Sequence, residues 1–243
     1  MKITLLIAAA LLSLASTGAS AGKLPPEFSY TIYVEGQEVG RSVTKVTEET
    51  GVYVFNTSTD ITFNEFKLSL DTRTVVDSET FLPLRFTYAG DKMGTLLDGE
   101  TTISGNEATC VTGEHGQSYT STRTTPHPAV LLFEEYVMDH EVIIARAYWE
   151  GGPDTREYGV LYPSTARMSS GSIGKGSELA FESETKEAYC VKLIISLQGG
   201  SPYASYYDPE RGLPLYMAFP GTSTEVFLDE FFDGNPVSRY RQH

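Results

Sequence analysis

From Phe28 onward apolar and polar positions alternate: Phe28, Tyr30, Ile32 and Val34 against Ser29, Thr31 and Glu35, with only Tyr33 out of step. A period of two marks a strand with one buried face. Gly36 and Gly40 bracket a polar turn, residues 41–49 return, and Thr50-Gly51 turns into 52–63, where Tyr53, Phe55, Ile61 and Phe63 share one parity. The same grammar continues through 67–76, a Pro83 punctuation, 84–88, and paired segments at 100–103 and 108–112. It resumes over 155–162, 167–172, 177–184, 188–197, 203–207, 213–219 and 224–231, separated by Gly199-Gly200, Asp208-Pro209, Gly212 and Pro220-Gly221.

One segment breaks the pattern. After Pro126 and Pro128, residues 129–149 contain no glycine or proline, and Val130, Phe133, Val137, Ile144 and Tyr148 recur at helical spacing. Glu134, Glu135, Asp139 and Arg146 fall off that stripe. The spacing predicts one amphipathic helix over about 129–149, ended by Gly151-Gly152-Pro153. The fold class expected is therefore mainly β: a single curved antiparallel sheet, half-barrel or barrel-like, with one amphipathic helix packed on or in it. No linker, repeat or low-complexity tract divides residues 22–243, which read as one domain.

The first residues read differently. Lys2, an apolar run over 3–15 and Ala19-Ser20-Ala21 make the charge, apolar core and small-residue cleavage site of a secretory signal, with cleavage expected after Ala21. A periplasmic or secreted protein follows. Gly22 and Lys23 stand where a lipoprotein would need cysteine. No later stretch approaches the roughly 20 apolar residues of a spanning helix, so an integral membrane protein is not expected.

Charge narrows the partners. The chain has 18 basic and 32 acidic side chains, a formal charge of −14, and loss of Lys2 with the signal makes it one more negative. Nucleic acid and anionic lipid surfaces would be repelled. Cys110 and Cys190 are the only cysteines. In an exported chain they suggest a disulfide, but spacing alone does not separate a bridge from two buried free thiols.

Catalytic signatures are weak. Ser170-Gly171-Ser172-Ile173-Gly174 lacks the first glycine of a nucleophile elbow. Residues 171–177, GSIGKGS, miss the phosphate-loop spacing and read as a hairpin turn. His115, His127, His140 and His243 have no metal-ligand spacing, and the consecutive Asp139, His140 and Glu141 would leave a helix about 100° apart. No metal or cofactor is expected. Asn56-Thr57-Ser58 is a glycosylation sequon lying in an expected strand.

Four residues stand out as ligand-contact candidates. Tyr136, His140 and Ile144 follow one another at i, i+4 and i+8, and Trp149 closes the segment. His140 is either a satisfied histidine at the helix–sheet boundary or a polar handle inside a cavity. Tyr203, Tyr206 and Tyr207 either complete the β core or line a pocket.

The segments FSYTIYVEGQEVG, FLPLRFTYAG, HPAVLLFEEYVMDHEVIIARAYW followed by REYGVLYPS, and YYDPERGLPLYMAF resemble a loose group of bacterial exported β proteins of unknown function. Their architecture is similar to the lipoprotein-carrier and lipoprotein-receptor half-barrel, an incomplete antiparallel barrel curled around a helix. The resemblance spans most of residues 28–231. It implies an exported, noncatalytic protein that holds a lipid or other apolar ligand in a concave sheet, and it carries no functional residue across. The alternatives are an envelope hydrolase built around His140, which needs a carboxylate or hydroxyl within its reach, and an accessory module acting through protein contacts.

Overall fold

The computed structural model describes residues 22–114, 117–151, 155–183 and 186–232. The expected signal over 1–21, His115 and His243 lie outside the described residues.

Among the described residues, fifteen strands form one curved, unclosed sheet. The first eight are β1 (Glu27–Val34), β2 (Gln37–Glu49), β3 (Val52–Phe63), β4 (Phe66–Asp77), β5 (Pro83–Lys92), β6 (Thr95–Ser104), β7 (Glu107–Glu114) and β8 (Gln117–Thr124). They run as an uninterrupted meander, each strand pairing antiparallel with the next. After β9 (Val130–Leu132) comes α1 (Met138–Gly151), then β10 (Thr155–Tyr162), β11 (Arg167–Glu182), β12 (Glu187–Leu197), β13 (Tyr203–Asp208), β14 (Leu213–Phe219), β15 (Thr224–Leu228) and the short α2 (Asp229–Phe232). The two runs join where β15 pairs with β1. β8 and β9 are the two sheet edges.

Alternation sets which face turns inward. In β3, Thr57, Thr59 and Ile61 are buried while Asn56, Ser58 and Asp60 are exposed. The registers Ser42↔Thr59 and Thr44↔Thr57 then bring inward hydroxyls together, each pair 2.9 Å apart. Hydroxyls that satisfy one another can be buried at little cost.

The sheet curls around α1, whose residues from Met138 to Tyr148 are all buried. Two expectations are corrected here. The helix starts at Met138 because Val130-Leu131-Leu132 pair in parallel with β10, so the apolar positions that read as one stripe are divided between a strand and a helix. Nor is it amphipathic, since the sheet encloses it and its charged residues find partners inside. Arg156 of β10 closes its far end, donating from Nη1 to the Ala147 carbonyl at 3.0 Å.

Residues 171–177 correct another. They lie within the single long strand β11, and the glycine-rich stretch appears as a register shift against β12 between Lys175 and Glu178, not as a hairpin turn.

Strands β13–β15 are buried on both faces, which is why they read as nearly continuous apolar runs. On the outer face Tyr206, Tyr216 and Phe227 stack in sequence, at 5.3 and 4.8 Å between ring centroids, and Phe232 of α2 meets Phe227 edge-on. Asp229 anchors α2 by accepting from Ser29 Oγ at 2.7 Å, Thr31 Oγ1 at 2.5 Å and Arg41 Nε at 2.7 Å. The strand expected over 224–231 therefore ends at Leu228, where this anchor turns the chain.

Candidate functional site

The helix fills much of the concavity, and two clefts open beside the loop 133–137 that links β9 to α1. Tyr136 in that loop has φ 65°, a left-handed conformation that a bulky side chain adopts only under local constraint. Two clefts flank the loop, sharing Glu134, Glu135 and Tyr136. One, of about 350 Å³, is walled by Phe133, Met138, Leu197, Tyr203 and Phe219 and reached by Glu141. The other, about 290 Å³, lies against Leu68, Leu70, Tyr88, Leu97 and Lys92.

The first cleft combines apolar walls with a buried polar pair. Tyr203 donates its hydroxyl to the Glu141 carboxyl, 2.9 Å from Oε1 and 3.0 Å from Oε2. Burial pushes the Glu141 carboxyl up to about 8, against the opposing pull of the Tyr203 hydrogen bond. At neutral pH it is thus held largely as the neutral acid, with a proton of its own to donate. Among the described residues, no lysine, arginine or histidine lines this cleft. Glu134 is occupied elsewhere, accepting from Ser164 N and Oγ at 2.9 Å each, and burial raises its carboxyl too.

Of the four residues singled out from sequence, Tyr136 borders both clefts. His140 does not. It is buried in the core with its ring centroid 4.7 Å from that of Phe86, and neither ring nitrogen has a hydrogen-bond partner among the described residues. Burial holds its pKa down at about 3, so the imidazole is neutral at pH 7. The carboxylate or hydroxyl partner that a hydrolase centred there would need is absent among the described residues. Ile144 is buried against β10–β12, and Trp149, at the far end of α1, packs on Tyr207 with centroids 5.5 Å apart. The four therefore do not converge.

Asp139, His140 and Glu141 meet three different walls. Asp139 Oδ2 accepts from Thr74 Oγ1 at 2.6 Å, His140 meets Phe86, and Glu141 meets Tyr203. Burial lifts the Asp139 carboxyl to about 6, with the hydroxyls of Thr74 and Thr57 opposing. Among the described residues no three His, Cys, Asp or Glu side chains gather as metal ligands.

Cys110 and Cys190 are both buried free thiols, so the bridge is not formed. Nine strands separate β7 from β12 in sheet order. Burial pushes the Cys190 thiol up, assisted by the charge of Asp208. Of the tyrosines 203, 206 and 207, only Tyr203 reaches a cleft; Tyr207 packs inward on α1 and Tyr206 outward in the aromatic stack.

Sequence reading missed Glu141, Leu197 and Phe219. Glu141 falls on the helical stripe, four residues after Val137 and three before Ile144, but a carboxylate among apolar positions does not announce a site. Leu197 and Phe219 each close a strand just before a turn, Gln198-Gly199-Gly200 and Pro220-Gly221, and that both turns end at the same mouth is a property of the curl alone.

The solved structure of a DUF1089 family protein from Pseudomonas aeruginosa is similar to this chain, with a TM-score of 0.44 and 13% identity, covering 74% of this chain and 90% of that one. The likeness is to a β-rich fold and carries no argument about function. No protein-family model matches the chain, and no curated protein matches it in sequence. No helix among the described residues is long and apolar enough to cross a membrane.

Proposed function

We propose that this is an exported, noncatalytic binding protein that takes an apolar ligand into the cleft between the loop 133–137 and strands β12–β14. One observation carries the reading: a cleft of about 350 Å³, within the size range of small-molecule sites, whose walls are Phe133, Met138, Leu197, Tyr203 and Phe219 and which the buried Glu141 carboxyl reaches. A curled sheet with a helix in its concavity suits the half-barrel resemblance, and the reading of residues 1–21 as a signal supports a periplasmic or secreted location.

The lining indicates which ligands are disfavoured. With no basic side chain to meet it, an anionic headgroup would be desolvated without compensation. A neutral ligand carrying an acceptor oxygen instead finds the Glu141 acid as its donor, and the aromatic walls accept its apolar body.

The test uses N-phenyl-1-naphthylamine, a neutral apolar fluorophore. The protein should enhance its fluorescence saturably, and Leu197→Glu should abolish the enhancement while His140→Leu leaves it intact. Equal enhancement by the protein and by Leu197→Glu would remove the cleft from the account.

A further inference from the structure

Gly22 is held by the fold more tightly than any sequence signal requires. Its N–H donates to the Pro209 carbonyl at 2.7 Å, and its carbonyl accepts from Arg146 Nη1 at 2.7 Å. A Cβ at Gly22 would lie 1.7 Å from the Glu210 carbonyl oxygen and 2.5 Å from its carbon, so no other residue fits without moving backbone. The accepting carbonyl is itself fixed. Asp208 Oδ1 accepts from Glu210 N at 2.8 Å, and Gly212 N closes the turn on Asp208 O at 2.9 Å. Gly212, at φ 69°, has no room for a Cβ either, which would lie 2.7 Å from the Gly22 oxygen.

Arg146 is the other half of the socket. It is buried within α1, its guanidinium carbon 4.5 Å from the centroid of the Phe81 ring and Nη2 3.7 Å from Glu150 Oε1. Beyond Gly22 the chain stays attached: Leu24 is buried, and the Pro26 carbonyl accepts from Val46 N at 2.8 Å.

Signal cleavage requires small residues before the cut, which Ala19 and Ala21 supply, and makes no demand for glycine after it. The glycine requirement comes from the socket, and the expected cut falls directly before it. We propose that Gly22 is the processed N-terminus and that the ammonium created by cleavage is captured at the Pro209 carbonyl, locking the chain start to the turn 208–212 and to Arg146. Hydrolysis of the Ala21–Gly22 peptide bond releases the carboxyl with the signal and leaves the protonated amine on Gly22. That amine replaces an amide donor with a charged one, which makes the stronger hydrogen bond, and backbone carbonyls are an established means of holding a terminal amine. The proposal rests on the reading of residues 1–21 as a cleaved signal.

The experiment exports the full chain in a bacterial host beside a variant with one serine inserted between Ala21 and Gly22. Intact mass should give a chain beginning at Gly22 for the first and one residue longer for the second. The Gly22 form should melt higher by roughly 3 °C or more, and its ¹⁵N-labelled terminal amine should titrate above the ordinary value of about 8. Gly22→Ala should lower the melting point further. A mass showing the cut elsewhere overturns the processing step. A cut before Gly22 with equal melting points and an ordinary amine pKa overturns the capture while leaving export standing.

Discussion

Tyr203 and Glu141 form a buried pair across two elements far apart in sequence, with the β13 hydroxyl bridging both oxygens of a carboxyl in the first turn of α1. This pair joins the wall of the cleft to its polar group. It also ties the cleft to pH, because burial raises the Glu141 pKa to about 8.

A carboxyl raised in the folded state contributes stability that is complete below its unfolded pKa and lost as pH rises through the folded value. For Glu141 that window runs from its ordinary 4.5 to about 8. Thermal melts from pH 5 to pH 9 should show stability falling by at least ~1 kcal/mol, about 2 to 4 °C in Tm. Glu141→Gln should flatten this limb. An unchanged limb in the variant would assign it to other groups.

His140 acts with the opposite sign. Its folded pKa is depressed from 6.5 to about 3, so stability is full above 6.5 and is lost as pH falls toward 3. His140→Leu removes two buried nitrogens that have no partner among the described residues, and should raise Tm more at pH 5 than at pH 7. A variant less stable at both pH values would mean the imidazole has a partner in solution.

Asp229 accepts three side-chain hydrogen bonds that fasten α2 to β1 and β2. Asp229→Ala should cost roughly 1–3 kcal/mol by denaturant melt, since it removes the acceptor of both the Ser29 and the Thr31 hydroxyl, leaving Ser29 only the bond it accepts from Arg41 Nη2. Arg41→Ala should cost roughly 0.5 kcal/mol or less, because its side chain is mostly exposed. Equal losses would shift the anchoring role from the hydroxyls to the ion pair.

The thiols give a redox prediction. Alkylation under denaturing, nonreducing conditions should modify both Cys110 and Cys190, and dithiothreitol should leave Tm unchanged. A lower Tm on reduction would require a bridge this fold does not contain.

Much of the sheet was legible in the sequence because its strands are half-buried and alternate. Residues 155–162 and 213–219 match β10 and β14 residue for residue. Strand β8, exposed along nearly its whole length, has no alternation to read. The helical spacing extends past the N-terminus of the helix itself, since Val130-Leu131-Leu132 carry the same apolar character whether they lie in a strand or a helix. The cleft was not legible. Glu141 shares the helical face of Val137 and Ile144, but Leu197 and Phe219 meet it only when the sheet curls.

The most direct test of the binding account is native mass spectrometry of the protein purified without detergent from a bacterial envelope, followed by organic extraction. The account predicts a discrete added mass that extracts as an apolar compound and is missing from Leu197→Glu. A bare protein mass, unchanged after incubation with membrane extract, would contradict it.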